Sequence, residues 1–505
     1  MITTDERLLM GIPGLDEVFM GGVLRGDTIL VQGAPGTGKT TFGLQFICAG
    51  AVQYDEPGLI VTFEQFPKQM FRDAKHFGWD IEELVQRKKV HVIATSPHVF
   101  QKQLQSPEGI IQRALAEMDI QRVLVDSITH FQRITTDPVQ LREIVSGLLN
   151  MLRQREVTTI LTQEVQQDEG MFSFEEYTVD AVIRLSFQAV DKMQRRRFIE
   201  VLKARGQAFI PGKHAMAIEE TGMRVYPAPH PQLIATDGAD NEVPRLTRVP
   251  TGVPGLDRML GGGLYEGFCV LLAGDVGSGK STLVRQFIAA GAEHGEPALY
   301  VVIRETPEQI IRTATTIGLD LQPMIENGLL TIMHYSVGDL DPYKLFWDVY
   351  NIVKEREFKR AAIDSLSDIQ PCLMEPNTFR DYVAAFRTLF RTRNITSILT
   401  LDLQPTAAEQ ELIESDVAVV VDAILALRLR NVHDHIRKTL AVLKMRGTDH
   451  DNGIRNVRIE PGEGMIVETG FEGMPSFLRR LQQLSMEVAA AREGPMLETE
   501  GSSSE

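Results

Sequence analysis

Gly33-Ala34-Pro35-Gly36-Thr37-Gly38-Lys39-Thr40 sets two glycines five positions apart and follows them with Lys and Thr. This is the spacing of a loop that wraps phosphate. Glycines let backbone N–H groups close around phosphate oxygens with no Cβ in the way. The Lys reaches the outer phosphates, and the Thr40 hydroxyl is the expected handle for Mg²⁺. The flanks agree. Asp27 to Gln32 reads as a short buried strand, and Thr41 to Ile47 as the opening of a helix. A chance glycine-rich turn would have neither flank.

A second copy stands in the second half: Gly274-Asp275-Val276-Gly277-Ser278-Gly279-Lys280-Ser281, followed by Thr282 as the first is followed by Thr41. The lead-in repeats too. Gly11-Ile12-Pro13-Gly14-Leu15-Asp16 is echoed by Gly252-Val253-Pro254-Gly255-Leu256-Asp257. The chain therefore reads as a tandem duplication, each half with its own nucleotide loop: Gly33, Gly36, Gly38, Lys39, Thr40 and Thr41, then Gly274, Gly277, Gly279, Lys280, Ser281 and Thr282.

Length and composition bound this reading. A chain of 505 residues with 43% hydrophobic content holds two substantial cores. The formal net charge of −16 is a poor footprint for nonspecific nucleic-acid binding, which leans on Lys and Arg. The three cysteines, Cys48, Cys269 and Cys372, sit at no metal or disulfide spacing and read as small packing residues. The start has no signal-peptide layout, and no apolar run reaches membrane-spanning length. The expected location is the cytoplasm.

Along residues 1–227, Leu59–Phe63, Arg122–Asp126 and Thr159–Thr162 read as strands, with a helical stretch from Pro67 to Phe77 between the first two. Strands alternating with helices predict an α/β fold with a mostly parallel sheet covered on both faces. Residues 228–246 are rich in Pro, Gly and Asp and read as a linker. Residues 247–470 repeat the order, with strands at Val270–Ala273, Ala298–Ile303, Arg360–Asp364 and Ala423–Leu427. Residues 471–505 read as a helix with Phe477, Leu478, Leu481 and Leu484 on one face, then a Ser/Glu-rich tail expected to be disordered.

Three further features bear on chemistry. Asp126 and Asp364 each end a buried strand downstream of a phosphate loop, where a carboxylate can orient a metal or its water; the plainer role is to cap the next turn. Glu64 sits at a strand tip, followed by Gln65, and the aligned pair in the second half is Arg304-Glu305. A carboxylate there is placed to activate water, or it is simply a solvated tip. Lys203-Ala204-Arg205-Gly206 and Lys444-Met445-Arg446-Gly447 both end β-rich runs. Side chains two apart on a strand share a side, so each pair can reach one phosphate, or form an exposed basic face.

Taken together, these residues resemble the KaiC family of RecA-like ATPases across nearly all of residues 7–470. The doubled loops, the Gly-x-Pro-Gly-Leu-Asp lead-ins, Phe63-Glu64-Gln65, Phe77-Gly78-Trp79-Asp80, Ile363-Asp364-Ser365-Leu366 and Val442-Leu443-Lys444-Met445-Arg446-Gly447 carry the resemblance. It implies a two-tiered ring, a hexamer, with ATP between subunits. It also implies that Lys203, Arg205, Lys444 and Arg446 reach ATP across the interface. The chain departs from the family pattern in two places. The family has two adjacent glutamates at the catalytic tip; here the first half keeps Glu64 and the second keeps Glu305. The circadian members autophosphorylate on an adjacent Ser-Thr pair in the second half, and those positions fall on Ala418 and Val419. The reading is a Mg²⁺- and ATP-dependent ring ATPase signalling to a protein partner. Its rivals are a Ser/Thr autokinase using another hydroxyl such as Ser415, a nucleotide-gated scaffold with little turnover, and a DNA recombination ATPase, which the acidic balance disfavours.

Overall fold

The structure is a computed structural model that describes residues 6–63, 66–104, 106, 109–135, 137–165, 174–189, 195–230, 234, 247–373, 376–404, 412–432 and 435–468. The helix and tail expected over 471–505, and most of the expected linker, lie outside these residues.

Two nine-stranded sheets are present. In the first, six parallel strands run in the spatial order Ala181–Ala189, Thr28–Gly33, Thr158–Glu164, Arg122–Asp126, Gly58–Thr62 and Val90–Ala94. Arg195–Ala204, Lys213–Glu219 and Gly222–Tyr226 extend the first edge antiparallel. The second sheet repeats the order: Ala423–Val432, Cys269–Gly274, Thr396–Asp402, Arg360–Asp364, Ala298–Val302 and Leu330–His334 are parallel. His435–Met445, Arg455–Glu460 and Gly464–Val467 extend it antiparallel. Both sheets carry a register shift at one place in the first antiparallel pair, Val182/Ile183 and Ile424/Leu425. The expected α/β class with tandem RecA-like domains is what the fold shows.

Strand alternation sorts the first core into two layers. Ile29, Val31, Ile60 and Leu124 pack with Phe42, Phe46 and Ile47 of the helix Lys39–Gln53. Leu30, Leu59, Val61, Val123 and Val125 pack on the other face with Val145, Leu148 and Leu149 of the helix Pro138–Arg153. In the second sheet, Val270, Leu272, Tyr300 and Ala362 pack with Leu283, Val284 and Phe287 of the helix Lys280–Glu293.

The described residues gather into two compact units. One holds the first sheet together with Tyr335–Phe358 and Leu366–Asn394; the other holds the second sheet, including Lys359–Ser365. Within the first unit, the indole N–H of Trp347 donates to the Pro227 carbonyl at 2.7 Å. Tyr343 packs there with Phe198, Ala215 and Tyr226 of the antiparallel strands.

One buried side chain sets each sheet against its loop helix. Arg122, at the start of its strand, has no exposed surface. Its Nε donates to Glu56 Oε2 at 2.7 Å, and its terminal nitrogens donate to the carbonyls of Phe46 (3.0 Å) and Leu9 (2.8 Å). Arg360 repeats this with Glu296, Phe287 and Pro250. A glycine makes the room: a Cβ at Gly50 would stand 2.3 Å from Arg122 Cδ, and one at Gly291 would stand 2.5 Å from Arg360 Cδ.

Gly50→Ala therefore displaces a buried guanidinium, and unfolding titrations in urea are expected to show a loss of about 1–3 kcal/mol. Gly147→Ala is the control. Gly147 is exposed within the helix Pro138–Arg153, and its Cβ meets nothing within 4 Å. That change is expected to gain about 0.5–1 kcal/mol.

The first sheet also carries a pH dependence. Burial, and then the neighbouring charge of Asp180, push the Asp27 carboxyl up to about 7, with Arg153 opposing. The native state thus prefers Asp27 protonated. Its contribution to stability is complete below the ordinary carboxylate value of 3.8 and is lost as pH rises through about 7. Asp27→Asn is expected to be more stable than the parent at pH 8, with the gap closing towards pH 5 in the same titrations.

Candidate nucleotide sites

Each phosphate loop joins the C-terminal end of a central strand to a helix N-terminus, the place where α/β sheets receive anions. Gly36 and Gly38 take φ of 78° and 106°, and Gly277 and Gly279 take 80° and 110°, a region that favours glycine. Gly33 is needed for room: its Cβ would lie 2.6 Å from both the Leu185 carbonyl oxygen and Thr37 Oγ1. At Gly274 a Cβ would lie 2.2 Å from the Leu427 carbonyl oxygen.

In the first half, Lys39 Nζ folds back over the loop and donates to the carbonyls of Gly33 (2.8 Å) and Ala34 (3.0 Å). Burial lowers its pKa, against the opposing charges of Glu164 and Asp126. Thr40 Oγ1 donates to Asp126 Oδ2 at 2.9 Å, and Thr162 donates to the other carboxylate oxygen. The loop hydroxyl and the strand-end acid, predicted separately, are thus joined. The Asp126–Ser127 peptide bond is cis, as is Asp364–Ser365.

The second half keeps the frame with different contacts. Lys280 Nζ donates to Gly274 and Asp275 carbonyls, each at 2.9 Å, and pairs with Asp402 at 2.8 Å. Asp364 accepts from Thr400 at 2.6 Å and from the Tyr300 hydroxyl at 3.2 Å. Tyr300 is fully buried, and burial first, then the Asp364 charge, raise its pKa well above the phenol range, so it stays a donor. Ser281 and Thr282 stand at the start of the helix as Thr40 and Thr41 do.

The tip residues separate the halves. Glu64 and Gln65 lie outside the described residues. Glu305 is half-buried and forms an ion pair with Arg285, from the helix Lys280–Glu293.

The two basic pairs bind within their own half. Lys203 Nζ donates to the carbonyls of Glu176 (2.8 Å), Tyr177 (3.3 Å) and Val179 (2.7 Å), and Arg205 donates to Tyr177 (2.7 Å). These are the end carbonyls of the short helix Phe174–Thr178 and the residue after it. Lys444 donates to Ala418 and Val421, and Arg446 to Val419, around the helix Asp416–Val420. Both members of each pair do share one side, as the spacing predicts. Burial lowers the Lys203 pKa, with Arg205 adding to the effect.

Reasoning from the sequence missed four participants. Thr162 and Thr400 hold the two acids. Glu164 and Asp402 stand at matching register beside the loops, paired with Gly33 and Gly274. A polar residue ending an apolar strand was the available signal.

The sequence matches the family described as "ATPase: KaiC" twice, over residues 8–230 and 249–470. The chain belongs to the KaiC family. It is 32% identical over 477 residues to the circadian clock oscillator protein KaiC of Picosynechococcus sp., covering 92% of this chain and 90% of that protein. It is 32% identical to that of Parathermosynechococcus lividus, over 92% and 85% of the two chains. It is also 32% identical to the circadian clock oscillator protein KaiC 1 of Synechocystis sp., over 90% and 88%. The two KaiC domains are P-loop ATPase domains.

A KaiC ATPase domain implies nucleotide and a divalent cation, and the residues fit both. Gly33 and Gly274 have no room for a Cβ beside the neighbouring strand, and Gly36 and Gly277 present bare backbone at positive φ with nothing within 4 Å. A hydroxyl beside a carboxylate is the hard oxygen set that suits Mg²⁺. Among the described residues no helix is long and apolar enough to cross a membrane.

Ser415, the candidate acceptor, caps the helix Asp416–Val420. Its hydroxyl donates to the Leu412 carbonyl at 2.7 Å and accepts from Ala418 N at 3.3 Å. Ala418 is buried and Val419 is exposed. Incubation with Mg-ATP and peptide mapping is expected to find no stoichiometric phosphate in residues 411–422. Ser415→Ala is expected to cost about 1 kcal/mol as a lost cap. Near-complete phosphate on Ser415, absent in Lys280→Ala, would overturn this.

Proposed function

We propose that the chain is a cytoplasmic ring ATPase of two tiers, a hexamer of modules 1–227 and 247–470, which hydrolyses ATP with Mg²⁺ and signals by conformation to a protein partner. The Thr40–Asp126 hydrogen bond at 2.9 Å is the observation that carries it, because it sets a hydroxyl and a carboxylate together beside a phosphate loop, the oxygen pair that a hard cation takes. In this reading Lys39 and Lys280 neutralise the outer phosphates. Thr40 with Asp126, and Ser281 with Asp364, would hold Mg²⁺, which would supply charge neutralisation on the transferring phosphoryl group. Glu64 orients the attacking water in the first tier. Lys203, Arg205, Lys444 and Arg446 complete sites across subunit boundaries, leaving the carbonyls they bind in the isolated chain. A clock partner of the kind implied by the relatives' names is one candidate recipient of the signal.

The second tier has a second reading, a nucleotide-gated scaffold with little turnover. Arg304 stands where the family has its first glutamate, and the Glu305–Arg285 ion pair engages the remaining one. Lys39→Ala is expected to remove most ATP turnover and Lys280→Ala the smaller part. The opposite result would reverse the assignment of tiers. Native mass measurements are expected to show a ring with ATP; a monomer with and without ATP would sink the assembly.

A further inference from the structure

The residue types that cluster around Glu305 are not repeated at the matching positions of the first half. Arg285 lies five residues after the loop lysine, and the same position in the first half is Leu44. Tyr300 pairs in register with Ala362, two residues before the strand-end acid; Ile60, paired with Leu124, holds that place in the first half. Two apolar residues have thus become a cation and a phenol beside one nucleotide site.

The Arg285 side chain is held at two points. Nη2 bonds to Glu305 Oε2, and Nη1 donates to Thr313 Oγ1 at 2.9 Å. The side chain is 7% exposed, and its Nε has no partner among the described residues. A buried guanidinium depends on its carboxylate, because removing one member leaves an uncompensated charge. The ion pair is therefore a firm contact.

A carboxylate that activates water must come within hydrogen-bond reach of that water. With Arg304 at the first tip position, Glu305 is the acid that remains there. We propose that Arg285 is a positioning residue that keeps the Glu305 carboxylate on the helix Lys280–Glu293 and so holds the second site slow. This rests on the ATPase reading above. The first half carries an uncharged Leu44 at the matching position.

Two measurements test it. In the first, nucleotide-free full-length protein is treated with a carbodiimide and glycine ethyl ester, and labelling of Glu305 is read by peptide mapping. Arg285→Leu is expected to raise labelling several-fold, and Arg285→Lys to leave it near the parent value. Thr313→Val, which removes the Nη1 anchor but keeps the charge, is expected to raise it in the same direction. It serves as the test if Arg285→Leu does not fold. In the second, second-site turnover is measured in a Lys39→Ala background. Arg285→Leu is expected to raise kcat by about tenfold with KM little changed, and adding Glu305→Gln is expected to abolish the gain. Labelling that does not change in Arg285→Leu or Thr313→Val, or a kcat gain that survives Glu305→Gln, would overturn the proposal. Increased labelling in a protein that turns over no ATP at either site would uphold the grip and sink the ATPase reading instead.

Discussion

The buried guanidinium at the foot of each acid-bearing strand fixes the geometry on which both sites depend. Arg122 ties together the lead-in at Leu9, the loop helix at Phe46 and the turn at Glu56. It does so from the first residue of the strand that ends in Asp126. The helix it holds begins with Lys39 and Thr40. The guanidinium thus ties the foot of the acid-bearing strand to the middle of the loop helix. A buried charge is costly, and its satisfaction by three separate segments makes one arrangement much better than its neighbours. The same constellation of Arg360, Glu296, Phe287 and Pro250 survives in the second half.

The basic pairs have a structural role within each half. An ammonium has three donors, and Lys203 directs them at three carbonyls around the end of a five-residue helix. A helix that short does not hold itself together, and the last carbonyls of any helix lack intrahelical partners. The cation supplies them. In the second half the corresponding helix, Asp416–Val420, is capped by Ser415 at its start and held by Lys444 and Arg446 at its end. Lys444 and Arg446 thus hold the segment containing Ala418 and Val419 through its carbonyls.

Much of the fold was legible because the decisive signals are local. The glycine spacing, the apolar runs closing in Asp126 and Asp364, and the repetition of both lie in contiguous sequence. The strands and the loop helices follow from them, with ends shifted by a few residues: the helix expected to open at Thr41 begins at Lys39. The rest depends on partners far apart in the chain. Nothing near Arg122 indicates that it is fully buried, because Glu56 and Gly50, which make burial possible, lie more than sixty residues away. Arg285 reads as an ordinary exposed helix residue until Glu305 and Thr313 are seen beside it. Thr162 and Thr400 look like the ends of apolar strands, and only the parallel register brings them to the acids.

The two halves diverge where the sheet tolerates change. Interior positions such as Ile29, Leu124, Val270 and Ala362 are packed on all sides, so altering them costs packing directly. Strand tips and the first turns of the loop helices carry polar groups whose partners can be exchanged. Around Asp126 the partners are Thr40 and Thr162; around Asp364 they are Tyr300 and Thr400. The acid stays paired in both cases, so the fold is indifferent to the exchange. What changes is the acid's surroundings: one arrangement draws the loop hydroxyl to it, and the other brings a buried phenol. Duplication of one scaffold thus leaves two loop sites with different polar partners on the same order of strands.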